Sequence, residues 1–294
     1  FTLADEEYPE VLNAEGERFM RRYDPERLEL STRDSVALAS YTEIAEGRDG
    51  PHGGVFLDVS HLPKTTILEK LPRMYRQFVE YEMLDISREP MEVAPTAHYS
   101  MGGVVVDPET TATDVDGLFA AGEVTSGLHG ANRLGGNSLA EVLVFGRRAG
   151  EHAARHAASR DVSIHPRRVV DEAAEQVDRV VQKGDELARP MQRAVRDMMW
   201  RSCGVVRDAD GIERGLAEVD AIEKAAVGTD VSPNEEGWAD LGHLFDLRAA
   251  LLTARATLLG ARGREESRGA HRRADFPGLD PKLRVVFEIQ PDDA

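Results

Sequence analysis

Three strings concentrate the residues able to do chemistry: His98-Tyr99-Ser100-Met101-Gly102-Gly103, Ala120-Ala121-Gly122-Glu123, and Gly130-Ala131-Asn132-Arg133-Leu134-Gly135-Gly136-Asn137-Ser138-Leu139. A histidine, a carboxylate and an arginine share this stretch with a dense set of glycines. Glycine lets backbone approach a large ligand closely, and imidazole and guanidinium donors together suit an anionic substrate. The strings describe a cleft in which backbone meets a bulky cofactor and two cationic groups hold an anion.

Each residue carries a functional and a plain reading. Glu123 follows a short apolar run and a glycine, where a carboxylate can accept hydrogen bonds from ribose hydroxyls; it also fits a solvated loop glutamate. Gly135-Gly136-Asn137-Ser138-Leu139 runs from a glycine turn into a helix start, whose free N–H groups and positive dipole end suit an electron-rich cofactor edge or an anion. The same string reads as a glycine turn with an asparagine cap. Arg133 can pair with a substrate carboxylate or make a surface salt bridge. His98 can donate to a substrate carboxylate or be a satisfied structural histidine; for His129 the structural reading is favoured. Arg33, in Thr32-Arg33-Asp34, is by itself a charge near a helix cap.

The elements that must hold these residues follow from apolar spacing and turn chemistry. Thr32 or Asp34 caps a helix through Val36, Ala39 and Ile44, broken by the glycine-rich stretch from Gly47 to Gly54. Val55–Val59 reads as a short strand. Residues 66–84 read as an amphipathic helix that Pro72 kinks or restarts. Val104–Asp107 and Gly117–Ala121 read as two buried strands, and 137–157 as a helix with Leu139, Val142, Leu143, Phe145 and Ala149 apolar. From about 166 to 262 helical spacing dominates and predicts a bundle, whose longest loop runs from Gly228 to Gly237.

The chain has 294 residues, 41% of them hydrophobic, and a net charge of −17. That acidity excludes nucleic acid and anionic membrane surfaces as natural partners. Cys203 is the sole cysteine, so there is no internal disulfide and no cysteine cluster for iron–sulfur or zinc; a reducing compartment follows. No metal site is expected. No apolar run is long enough for a membrane span.

Taken together, the strings resemble the flavoprotein subunit of the succinate dehydrogenase and fumarate reductase family. The matching pieces are Gly16-Glu17-Arg18-Phe19-Met20, Thr32-Arg33-Asp34, Leu57-Asp58 with His61-Leu62, the three strings above, and Glu266-Ser267-Arg268-Gly269-Ala270-His271. They follow family order over nearly the whole chain. L-aspartate oxidase shares most of them but usually has Ala-Ser where this chain has Gly135-Gly136, which favours the dehydrogenase and reductase branch. The stretch from Glu123 to Arg133 is one residue shorter than in most members. The family's Gly-x-Gly-x-x-Gly turn, its flavin-linked histidine and an upstream substrate histidine have no match here. The resemblance therefore implies a C-terminal half, inactive alone.

The implied fold is a multidomain α+β and α/β protein: the C-terminal part of an FAD-binding α/β domain with the remnant of an α+β capping domain, followed by a helical bundle domain. The implied boundaries are 1–93 for the capping part, 94–160 for the second FAD segment, 161–262 for the bundle and 263–294 for the tail. The implied activity is interconversion of succinate and fumarate by hydride transfer at the FAD N5, with Arg33 moving the proton. An arginine ordinarily keeps its proton to a pH above about 12; it can act as an acid only where other cations crowd it and a relay returns the proton promptly. His98 and Arg133 map to substrate-carboxylate contacts, Glu123 to the FAD ribose, and Asn137, Ser138 and Leu139 to the flavin at the helix start. Implied partners are membrane-anchor subunits together with an iron–sulfur subunit, which would place the protein peripherally on the cytoplasmic face of a membrane. The alternatives are L-aspartate oxidase, or an inactive fragment or interaction module.

Overall fold

The computed structural model describes residues 8–161, 166–232, 238–283 and 287–289. The chain divides into two compact units, Phe1–Ala97 and His98–Ala294.

The first unit is built on an antiparallel three-stranded sheet in sequential order, β1 (Glu10–Leu12), β2 (Val55–Asp58) and β3 (Met91–Val93), with Val11 opposite Leu57 and Phe56 opposite Glu92. The short helix α1 (Met20–Tyr23) and the longer α2 (Arg33–Ala45) bury Phe19, Met20 and Ala39 with Val11 and Val55. Glu43 of α2 is fully buried and is held by four donors: Asn13 Nδ2 at 2.9 Å, Tyr23 Oη at 2.7 Å, Arg22 Nη2 at 2.8 Å and Arg48 Nε at 2.6 Å. Burial alone would raise its pKa, but these bonds outweigh it and hold the carboxyl down at about 2. A buried carboxylate is tolerated only when its lone pairs are filled in this way. The network fixes α2, the helix that begins at Arg33.

The helix expected over 66–84 is three pieces: α3 (Lys64–Lys70), α4 (Pro72–Gln77) and one π turn (Phe78–Glu82). Leu71, at φ −127 and ψ 41, leaves the helical region because the following proline ring excludes it, and Pro72 then occupies the first turn of α4. Ile67 packs with Val59, Ile86 and Met91 in a second small core.

In the second unit, the strands expected at Val104–Asp107 and Gly117–Ala121 are not formed. Val104 makes one parallel bridge to Thr125, and Phe119 one antiparallel bridge to Ala112. Val104, Val105 and Leu118 are exposed. Short apolar runs need neighbouring strands on both sides to become a buried parallel sheet, and the described residues of this unit supply none. The helix α5 (Asn137–Ala158) forms as expected, yet Glu141 is its only buried residue. Leu139 and Leu143 are more than 70% exposed, so much of the apolar stripe of α5 is uncovered among the described residues.

α6 (Arg167–Asp178) precedes a bundle of three helices, α7 (Ala188–Cys203), α8 (Ala209–Ala226) and α9 (Ala239–Gly263), that pack on one another. Met191, Val195, Met198, Ile212, Val219, Leu247, Leu251 and Leu258 form its core. Their spacing of three and four residues puts one stripe each of α7, α8 and α9 inward, whereas α6 buries no residue and its Val169 and Val170 are exposed. Gly215 lies where α7, α8 and α9 meet: a Cβ there would stand 2.9 Å from the Ser202 Cβ and 3.0 Å from a Leu258 methyl. Of the expected Gly228–Gly237 loop, residues 233–237 lie outside the described residues.

Candidate active site

The start of α5 is an open helix N-terminus. Gly136 takes the N-cap position at φ +84, a left-handed conformation that favours glycine, and no side chain caps the first turn. Asn137, the cap in the plain reading, does not act as one. A Cβ at Gly135 or Gly136 would meet nothing within 4 Å, so the approach to the first turn is clear. Ser138 is half-buried, while Asn137 and Leu139 are exposed.

One turn into α5, Glu141 anchors the loops around this opening. It is 4% exposed. Its Oε2 accepts from the Tyr99 hydroxyl and, at 2.9 Å, from His129 Nε2. The Tyr99 and His129 rings meet edge to face at 5.5 Å. Burial and the hydrogen bond to Glu141 push the Tyr99 phenol up to about 12, so it remains a donor at neutral pH. The Arg133 guanidinium lies over the other part of this cluster, 4.5 Å from the Tyr99 ring centroid. Among the described residues it spends one N–H, from Nη1 to the Leu134 carbonyl at 3.2 Å, and its buried Nε has no hydrogen-bond partner. A buried guanidinium N–H left unpaired is costly, and a carboxylate is the group whose geometry answers it.

Glu123 lies nearby on an exposed loop, its Oε1 accepting the Ser100 N–H at 2.9 Å. That bond ties the His98 string to the Glu123 string and leaves the second oxygen able to accept hydroxyls. Gly103 completes the junction: a Cβ there would fall 2.1 Å from the Val124 carbonyl oxygen. His98 is exposed at the start of this unit.

The tail closes on the Arg133 loop from the other side. Ala270 donates its N–H to the Ala131 carbonyl at 2.9 Å, and Gly269, at φ +55, leaves room for that oxygen. The tail is itself pinned by buried Glu266, which accepts from Arg264 Nη1 at 2.7 Å and Arg268 Nε at 2.9 Å. The hydrogen bond from Arg268 leads in holding the Glu266 carboxyl down at about 2.

Arg33 is in the first unit. It is the first residue of α2, exposed and without an ion pair among the described residues. Thr32 takes the N-cap position, but its hydroxyl pairs with Ser35 Oγ at 2.8 Å and caps no backbone N–H. A cation at a helix N-terminus is opposed by the helix dipole, so Arg33 is not placed there to stabilise α2.

Residues 11–139 match the family model of the FAD binding domain, and residues 192–285 that of the fumarate reductase flavoprotein C-term. The chain belongs to the succinate dehydrogenase and fumarate reductase flavoprotein family. It is 46% identical over 275 residues to a fumarate reductase (CoM/CoB) subunit of Methanothermobacter marburgensis, covering 93% of this chain and 49% of that one. It is 35% identical over 284 residues to the 8-methylmenaquinol:fumarate reductase flavoprotein subunit of Wolinella succinogenes, covering 90% and 45%. Among solved structures, a mutant of E. coli quinol fumarate reductase matches with a TM-score of 0.87 at 31% identity, over 96% of this chain and 52% of that one. The chain spans about half the length of the curated relatives it matches.

Proteins of this flavoprotein family use FAD, and the residues present fit such a group: the uncapped, unobstructed start of α5 and the unspent Glu123 oxygen stand in one unit. Tyr99 and Glu141, which tie this cluster together, do not stand out in the sequence. The available signal was a lone acid inside the apolar run Leu139-Ala140-Glu141-Val142-Leu143-Val144, a position where a carboxylate needs partners. No helix among the described residues is long and apolar enough to cross a membrane, and no cluster of metal-ligating side chains occurs among them.

Proposed function

We propose that this chain forms one wall of a flavin-dependent dicarboxylate site that interconverts succinate and fumarate, working with an upstream FAD-binding half of the kind its relatives carry. The observation that carries the reading is Arg133: a guanidinium held over the Tyr99 ring, with a buried Nε still unpaired. Arg133 and His98 hold the two substrate carboxylates. Polarising one of them makes the alkene carbon more electrophilic, so the contact strengthens as charge develops. Glu123 accepts ribose hydroxyls, and Asn137, Ser138 and Leu139 line the flavin ring at the positive end of α5; the Asn137 N–H donates to the Leu134 carbonyl and the Leu139 N–H to the Gly136 carbonyl, which leaves the Ser138 N–H for the ring. FAD, when bound, supplies hydride exchange at its N5. Arg33 holds and moves the proton at its guanidinium N–H. The exposed apolar residues Leu139, Leu143, Val104 and Leu118 are the surface that the upstream half covers. Electrons leave or enter through an iron–sulfur subunit, and membrane-anchor subunits hold the complex at the cytoplasmic face.

The test uses the assembled flavoprotein, meaning this chain completed at its N-terminus with the upstream FAD-binding segment of the Methanothermobacter relative. Arg33→Gln is expected to abolish fumarate reduction while FAD stays bound. Normal turnover by that variant would remove Arg33 from the proton path. Iminoaspartate formation from aspartate and oxygen by the unaltered protein would move the assignment to L-aspartate oxidase.

A further inference from the structure

We propose that Glu141 is a positioning residue for Arg133, acting through the Tyr99 ring. The inference rests on the reading that Arg133 binds a substrate carboxylate. Glu141 is the only buried residue of α5, and it is a carboxylate, the side chain most expensive to bury. Its cost is offset by two specific donors, the Tyr99 hydroxyl and His129 Nε2. Those two bonds fix both rings to the first turns of α5. The Tyr99 ring is then a rigid plate, and the Arg133 guanidinium lies on it at 4.5 Å.

Stacking of this kind has a particular use. A guanidinium presents its π face to a ring and its five N–H donors around its edge. Support from the face orients the group while leaving the edge for a ligand. An ion pair to a neighbouring carboxylate would orient Arg133 equally well but would consume the donors the substrate needs. Placing the negative charge of Glu141 behind Tyr99 keeps it off the guanidinium edge and still locks the plate. The chain of support runs from α5 through Glu141 and the Tyr99 phenol to Arg133, and the same helix offers its N-terminus to the cofactor. Cofactor contact and substrate contact are therefore referred to one rigid element.

The assembled flavoprotein tests this with malonate, an unreactive dicarboxylate, and with fumarate turnover. Glu141→Met and Tyr99→Phe each remove the hydrogen bond that makes the tether and nearly keep the volume. Each is expected to raise the malonate Kd and the fumarate KM about tenfold, with FAD content unchanged. The double variant is expected to be no worse than either single one, since both act through one bond. Glu141→Asp is expected to recover part of the loss. Additive effects in the double variant, or an unchanged Kd in both single variants, would overturn the proposal. A second readout is independent of ligand binding. In arginine-labelled protein, the Arg133 Nε–H resonance is expected upfield because of the Tyr99 ring, and Glu141→Met is expected to abolish that shift. Persistence of the shift in Glu141→Met would overturn the clamp. A wild-type protein that shows the shift yet binds no malonate would uphold the clamp and overturn the dicarboxylate reading instead.

Discussion

Gly269→Ala is expected to damage both the stability of the tail and the placement of Arg133. Two costs add at this position. The backbone is left-handed at φ +55, where a side chain costs about 1–2 kcal/mol. A Cβ would also stand 2.4 Å from the Ala131 carbonyl oxygen and 2.7 Å from its carbon, far inside contact distance. Neither atom belongs to a flexible side chain, so the two backbones must part, at an overpacking cost of about 1–3 kcal/mol. The sum is roughly 3 kcal/mol. The displaced strand is the one carrying Arg133 two residues later, and it loses the Ala270 N–H to Ala131 hydrogen bond as it moves. A misplacement of about 1 Å at a group that binds the reacting substrate can cost about a hundredfold in rate. Denaturant unfolding of the chain reads the first effect, and fumarate turnover in the assembled flavoprotein reads the second. Gly260→Ala serves as control: it lies inside α9 with nothing within 4 Å of the added methyl. It is expected to be stabilising by up to about 1 kcal/mol. If Gly269→Ala unfolded at the same denaturant concentration as the control or the wild type, the close backbone approach would not be the constraint argued here.

Acid should weaken the tail before it reaches the carboxylates. Burial first, then the Arg207 charge, lowers the His271 pKa from 6.5 to about 4; Nδ1 accepts from Arg207 Nη1 and Nε2 donates to the Arg264 carbonyl, with Arg264 and Arg273 adding positive charge. A group with a depressed folded pKa contributes its full stability above the unfolded value and loses it as pH falls. The unfolding midpoint should therefore drop between pH 6.5 and 4, and His271→Gln should flatten that drop. A second loss, from pH 4.5 toward 2, belongs to Glu43 and Glu266, each held at about 2; Glu266→Gln should remove part of it. Hydrogen exchange should separate α5 from the bundle. In this chain alone α5 is expected to exchange well before α7, α8 and α9, because only Glu141 of α5 is buried while the bundle helices share a core. Equal protection of α5 and α7 would contradict the exposure of the apolar residues of α5.

The bundle was legible because its information is local. Leu244, Leu247, Leu251 and Leu258 recur at helical spacing, and the stripe they form is the one that is buried. The start of α5 was legible for the same reason, since a glycine pair followed by Asn-Ser and an apolar run marks a helix N-terminus. Val104–Asp107 and Gly117–Ala121 misled because an apolar run says what a segment would bury, not whether its neighbours are in the chain. The 66–84 helix failed at Pro72, where the pre-proline restriction on Leu71 won over the apolar spacing. His98, Arg133, Glu123 and the α5 start stand out as candidates by residue type and glycine density. The Tyr99–Glu141 bond does not, because it is a contact across 42 positions that no local pattern encodes. The steric demand at Gly269 was hidden in the same way, since it is set by the Ala131 backbone.

The central claim is that Arg133 presents an unspent guanidinium edge to a dicarboxylate beside the flavin. Its most direct test is the visible flavin spectrum of the assembled flavoprotein during titration with malonate, for the wild type and for Arg133→Gln. The account predicts a saturable perturbation in the wild type and a loss of affinity of roughly ten- to a hundredfold in the variant, the worth of charged hydrogen bonds of about 1.5–3 kcal/mol, with FAD retained in both. Identical titrations for the two proteins, or full flavin binding with no spectral response to malonate, would contradict it.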